Sequence, residues 1–185
     1  PAGAKGTEAT YANFSYAYLT VFFWNFSAAL VTITPAAAYA VALDQLPVKT
    51  GDQTWQWSFD FNDNGTLYSV ILEAERMSNE LFSATMSVAL ANAPDQKVKW
   101  FDGEVRYDGT SADWTIYENG TDPVLDTAWN KDYEAGREDL AYTYVKTGMN
   151  ETGSYIMWAR DDSMDLDASY TVSMAAGVCN IQWNS

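Results

Sequence analysis

The sequence predicts a mainly β protein: an antiparallel up-and-down meander of about ten strands, forming a barrel or half-barrel and preceded by N-terminal helical segments. Two observations carry this. Thr54–Phe61 reads TWQWSFDF, with Trp55, Trp57, Phe59 and Phe61 at every second position and polar residues between them. A strand sends alternate side chains to opposite faces, so the four rings share one face. Similar one-sided segments then recur between Gly, Asn, Asp and Pro turn signals, with no spacing that requires a parallel crossover. An aromatic content of 15% suits a sheet packed with large rings better than a Leu- and Ala-rich bundle.

The 185 residues read as one domain: a flexible polar lead over 1–8, a helical region over 9–46 and the β-meander over 54–184. Tyr11 to Ile33 is the least polar stretch. Its Asn, Ser and Thr residues, and the lack of flanking Lys or Arg, argue against a membrane span. Phe14, Tyr18, Val21, Phe22, Ala28 and Ala29 recur at helical intervals, with a strand pair as the competitor. Thr34-Pro35 offers an N-cap and a favoured first helical residue before AAAYAVAL, so a short helix is expected over 35–44. Asn62-Asp63-Asn64-Gly65 has the residues of a tight hairpin turn. Tyr68–Ala74 and Phe82–Leu90 alternate as the next two strands. The alternation of Val98 and Trp100 changes face near Asp102-Gly103, where a bulge is expected. Asn119–Pro123 reads as a loop and Val124–Lys131 is weakly patterned. Leu140–Tyr144, Tyr155–Trp158, Tyr170–Met174 and Cys179–Trp183 complete the meander.

Composition excludes much chemistry. The formal net charge is −15, which repels nucleic acid and disfavours anionic lipid surfaces. The chain has no histidine and one cysteine. This removes His-based catalysis, a Cys zinc site and an internal disulfide. Cys179 has no His to activate it and reads as a small core residue. A cation held by oxygens stays open: Asp161, Ser163, Asp165 and Asp167 place oxygen ligands at alternate positions, as calcium loops do. The competing reading is a solvated acidic turn, because Leu166 and Val172 stand where an EF-hand needs Gly and Glu. No other cofactor is expected.

Glu73 and Glu75 share a strand face, a spacing that permits paired-carboxylate hydrolysis, but the face opposite Val70 and Leu72 should be solvated. Lys97 and Lys99 suit edge protection or plain solubility better than catalysis. The tryptophans are the remaining candidates. Trp55, Trp57, Trp100, Trp114, Trp129, Trp158 and Trp183 are spread over almost every strand and either fill a core or line a concave face that offers rings to a small apolar molecule, lipid or glycan, with Trp55, Trp57, Trp100, Trp114 and Trp158 as the candidate ligand residues.

The polar lead, the TPAAAYA segment, the WQWSFDF strand before a DNG turn, and Trp100-Phe101-Asp102-Gly103 resemble exported lipoproteins of Bacteroidetes-type bacteria. The meander resembles lipocalin-like barrels in layout, although the Gly-x-Trp signature of lipocalins is not present near the N-terminus. The resemblance carries no functional residue. It implies export to the periplasm or outer cell surface, with a lipid on a cysteine upstream of Pro1. Three functions follow as expectations: a non-enzymatic ligand-binding protein, a structural or interaction protein with a solid core, or a carboxylate hydrolase. The rings of Trp55–Phe61 are expected to receive the N-terminal segment. The oligomeric state is left open.

Overall fold

A computed structural model describes residues 35, 37–42, 44–163, 168–174 and 177–183. The expectations for 1–34, including the helix over Tyr11–Ile33, lie outside these residues. Eleven strands form a single antiparallel sheet in sequence order: β1 Val48–Lys49, β2 Thr54–Asp63, β3 Thr66–Arg76, β4 Leu81–Leu90, β5 Val98–Arg106, β6 Ser111–Glu118, β7 Asp122–Asp132, β8 Arg137–Tyr144, β9 Tyr155–Asp161, β10 Ala168–Met174 and β11 Gly177–Trp183. The up-and-down meander is as expected. Among the described residues β1 and β11 do not pair, so the sheet is open rather than a closed barrel. Residues 35 and 37–42 are helical, within the span that Thr34-Pro35 marks. Among the described residues no helix is long and apolar enough to cross a membrane.

Register places the apolar positions on one face. Trp57 pairs with Leu72, Leu72 with Met86, and Met86 with Phe101. Phe101 then pairs with Ile116, Ile116 with Leu125, and Leu125 with Tyr144. Cross-strand neighbours on one face are in side-chain contact, so the row packs as a seam. Val70, Leu72, Ala84, Met86, Val88, Phe101, Ile116 and Leu125 form the main buried cluster together with Ala38 and Ala42 of the helical segment. Trp57, Phe59 and Phe61 pack against that cluster, and Trp57 Nε1 donates to the carbonyl of Gln45 at 3.1 Å. Of the β2 rings, Trp57 therefore meets the segment that precedes the sheet.

Three details depart from the sequence reading. The bulge lies at Trp100, not at Asp102-Gly103: Met86 pairs with Phe101 and Ser87 with Lys99, leaving Trp100 as the extra residue. Trp100 and Phe101 consequently both pack on the apolar cluster. Asp122 and Pro123 belong to β7 rather than to a loop. Pro123 lacks an N–H to give the ladder and is tolerated beside a second register shift, between Ile116 and Tyr117. Lys99 protects no edge, because β5 runs between β4 and β6. Its Nζ bonds Asp102 Oδ2 at 2.6 Å and lies 3.8 Å from the Tyr117 ring centroid, while Tyr117 OH donates to Asp102 at 2.9 Å. The Asp102 bond raises the Lys99 ammonium above its ordinary pKa.

Candidate functional site

The helical segment packs on the apolar face and leaves part of it open. Tyr39 stacks edge-on against Phe101, with centroids 6.1 Å apart, and tilts against Trp114 at the same distance. Beyond these rings lies a trough of about 300 Å³ lined by Pro35, Tyr39, Phe101, Trp114, Ile116, Thr127, Trp129, Leu140 and Tyr142. Its size is at the lower end of small-molecule sites. A second hollow, of about 240 Å³, continues the face over Leu140, Tyr142, Ile156, Trp158 and Tyr170.

Four polar groups of the lining are already engaged or neutral. Thr127 Oγ1 donates to the Trp114 carbonyl at 3.4 Å, and Trp129 Nε1 donates to Glu138 Oε1 at 3.0 Å. Burial pushes the phenols of Tyr39 and Tyr142 above the usual tyrosine pKa, so both are un-ionised hydroxyls. The trough therefore presents rings, aliphatic groups and two neutral phenols, with no charged side chain among the described residues of its lining.

The charge sits just outside it. Glu138 accepts from Trp129, and this bond leads in holding its carboxyl below the usual glutamate range; burial opposes the shift, and the charges of Lys131 and Arg160 assist it. Lys131 Nζ is 3.6 Å from Glu138. The folded pKa is depressed, so the stabilisation is complete above the ordinary glutamate value of about 4.3 and is lost as pH falls through the lower folded value. The expected result is a tryptophan emission change confined to pH below the ordinary glutamate range, abolished in Glu138→Gln, whose amide oxygen still accepts but does not titrate. An unchanged transition in that variant would assign the signal to another carboxylate.

The structure separates the sequence candidates. Trp114 lines the trough and Trp158 the adjoining hollow. Trp57 packs against the buried cluster that holds Ala38 and Ala42. Trp55, at the start of β2, tilts against Phe82 with centroids 6.2 Å apart. Trp100 tilts against Tyr68 at 5.7 Å. The five tryptophans thus do not converge on one site. Trp129, Tyr39 and Tyr142 complete the trough. Trp129 stands with Trp114 among the aromatic residues of the sequence, but Tyr39 and Tyr142 were not candidates, although Leu140-x-Tyr142 is a visible alternation.

The calcium candidates divide. Asp161 accepts from Arg137 Nε at 2.8 Å and from the Ser163 amide at 2.9 Å. The Ser163 contacts lead in lowering its pKa. Both carboxylate oxygens are thus engaged by donors, and Asp165 and Asp167 lie outside the described residues. Among the described residues no three His, Cys, Asp or Glu side chains gather to hold a metal. Glu73 and Glu75 are exposed on the polar face, where Glu73 accepts from Gln56 at 3.2 Å, away from the trough. The side chain of Cys179 lies outside the described residues; β11 sets its backbone opposite Val172. No family model, curated protein or solved structure matches this chain.

Proposed function

We propose that the protein is an exported, non-enzymatic binding protein that holds a small neutral apolar molecule in the trough between the helical segment and β6–β8. The observation that carries this is the lining itself: Phe101, Trp114, Ile116, Trp129, Leu140 and Tyr142 around about 300 Å³ of space. A ring-lined recess with two phenols recognises an apolar body with one or two hydrogen-bonding groups. The net charge of −15 disfavours a fatty-acid or phosphate head. Export rests on the resemblance of the polar lead and the WQWSFDF strand to exported lipoproteins. A half-barrel, curled around the trough with one side left open, is the form of the sheet that suits this role.

The test uses N-phenyl-1-naphthylamine and its sulfonated analogue, which share a ring system and differ in charge. The neutral dye should gain fluorescence with the protein and the sulfonate should bind more weakly. Thr127→Phe sets a ring into the trough and should abolish dye binding, with circular dichroism and a cooperative melt showing that the variant is folded. Dye binding that survives Thr127→Phe, or tighter binding of the sulfonate, would overturn the reading. Binding of a neutral oligosaccharide in place of the dye would instead make the rings a glycan platform.

A further inference from the structure

The polar face of the sheet carries a hollow of its own. It measures about 690 Å³ and shares no lining residue with the trough. Register explains its place. Ala112, Trp129 and Leu140 are paired across β6–β8 on the apolar face, so their neighbours Ser111, Asn130 and Asp139, which are also paired, point to the opposite side. Asp132 and Arg137 form the next pair on that side. Ala128, Ala141 and Ala159 hold adjoining positions, and their short side chains leave the face low there. The β7–β8 turn closes the other end with the ring of Tyr133, which is 64% exposed.

We propose that this hollow is a second binding site, which takes an uncharged saccharide of one or two rings. A sugar offers hydroxyls that both donate and accept, and one side of C–H groups. The hollow offers the counterpart of each. Asp139 Oδ2 accepts from Asn130 Nδ2 at 3.1 Å, which leaves Asp139 Oδ1 and Asn130 Oδ1 as acceptors. Asp132 Oδ1 accepts from the amides of Glu134 and Ala135 at 3.0 and 2.9 Å, which leaves Oδ2. Arg137 Nε donates to Asp161 at 2.8 Å, which leaves the two terminal nitrogens of the guanidinium as donors. Groups already oriented by such bonds lose little freedom on binding. The Tyr133 hydroxyl donates to the Gly109 carbonyl at 3.4 Å, and Lys131 Nζ lies over one ring face, 5.0 Å from the centroid. The ring is thus oriented, and its exposure leaves the other face to cover the C–H side of a sugar. Charge favours a neutral ligand. Asp132, Glu134 and Asp139 line the hollow with Lys131 and Arg137, so an ion of either sign meets its like, whereas a hydroxyl bonds to both signs. The volume lies within the range of small-molecule sites.

The test is a calorimetric titration of the full chain with four uncharged disaccharides: cellobiose, maltose, lactose and N,N′-diacetylchitobiose. Saturable binding of at least one is expected. Tyr133→Ala should weaken it about tenfold, the scale of one lost ring contact, while Tyr133→Phe, which keeps the ring, should retain it. Asp139→Asn should also weaken it, because a charge-assisted acceptor becomes a neutral one. Circular dichroism shows that each variant is folded; should Tyr133→Ala not fold, Asp139→Asn carries the comparison. Thr127→Phe fills the trough on the other face and should leave sugar binding unchanged. Three results would overturn the proposal: no saturable binding of any of the four sugars, parent affinity in Tyr133→Ala or in Asp139→Asn, or loss of binding in Thr127→Phe, which would put the sugar in the trough. The naphthylamine dye should still bind Tyr133→Ala. The dye titration can therefore fail while the sugar binds, and the two readings stand or fall separately.

Discussion

Replacing Gly103 with alanine should cost about 3 kcal/mol of stability, the upper end of what overpacking usually costs, and lower the melting temperature by roughly 10 °C. A Cβ at this position would sit 2.0 Å from the Asp113 carbonyl oxygen and 2.6 Å from Trp114 Cε3. The first of these is backbone, so no change of rotamer relieves it. Gly103 pairs with Trp114 across β5 and β6, and the indole lies where a side chain would otherwise stand. The added methyl must therefore push the two strands apart or expel the ring. Either movement disturbs Phe101, which packs edge-on to Trp114 with centroids 5.3 Å apart. Thermal and chemical denaturation measure the loss. A melting temperature within a degree of the parent would show that β6 moves aside at no cost, and that the close approach is incidental.

The meander was legible because most of its strands keep a strict period of two. Trp55–Phe61, Tyr68–Ala74 and Phe82–Val88 each carry rings or aliphatic groups on one face and Ser, Thr, Gln, Asp or Glu on the other, and register aligns these faces. The Asn64-Gly65 turn was legible for a backbone reason, since both residues hold positive φ, 50° and 86°. Where the period failed, so did the reading. The extra residue at Trp100 puts two neighbouring side chains on the same face, and in sequence this displaces the apparent bulge towards the nearest glycine. Pro123 reads as a strand breaker, yet a register shift beside it removes the need for its missing N–H. β1 pairs only Val48 and Lys49 with β2, too short a run to leave a pattern.

The site was less legible because it is made by juxtaposition across the sheet, not by a motif. Its members come from the helical segment and from β5, β6, β7 and β8. Nothing local distinguishes Trp114, which lines the trough, from Trp57, which packs into the buried cluster. Both alternate with polar residues, and only the path of the helical segment decides which ring is covered. Thr127 shows the same limit from the other side. A polar residue in an apolar register hides β7 from a periodicity argument, while in the fold its small side chain leaves room between Trp114 and Trp129.

Trp114→Ala should have the other large effect, and it should separate from the first in a way that tests the geometry. Truncating a large packed aromatic costs about 3 kcal/mol, and here the contacts with Phe101 and Tyr39 are lost together. Removing the indole also widens the trough, so a dye that binds by contact with its walls should lose affinity even under conditions where the variant is fully folded. Combined with Gly103→Ala, the costs should not add. Part of the strain from the added methyl is against Trp114 Cε3, and that part disappears with the ring, whereas the clash with the Asp113 carbonyl remains. The double variant should therefore be more stable than the sum of the singles by about 1 kcal/mol, within the range found for residues in contact. Strict additivity would mean that the methyl acts only on the backbone. In that case Gly103 serves strand spacing alone, and the position of the Trp114 ring in the trough is set by Tyr39 and Phe101.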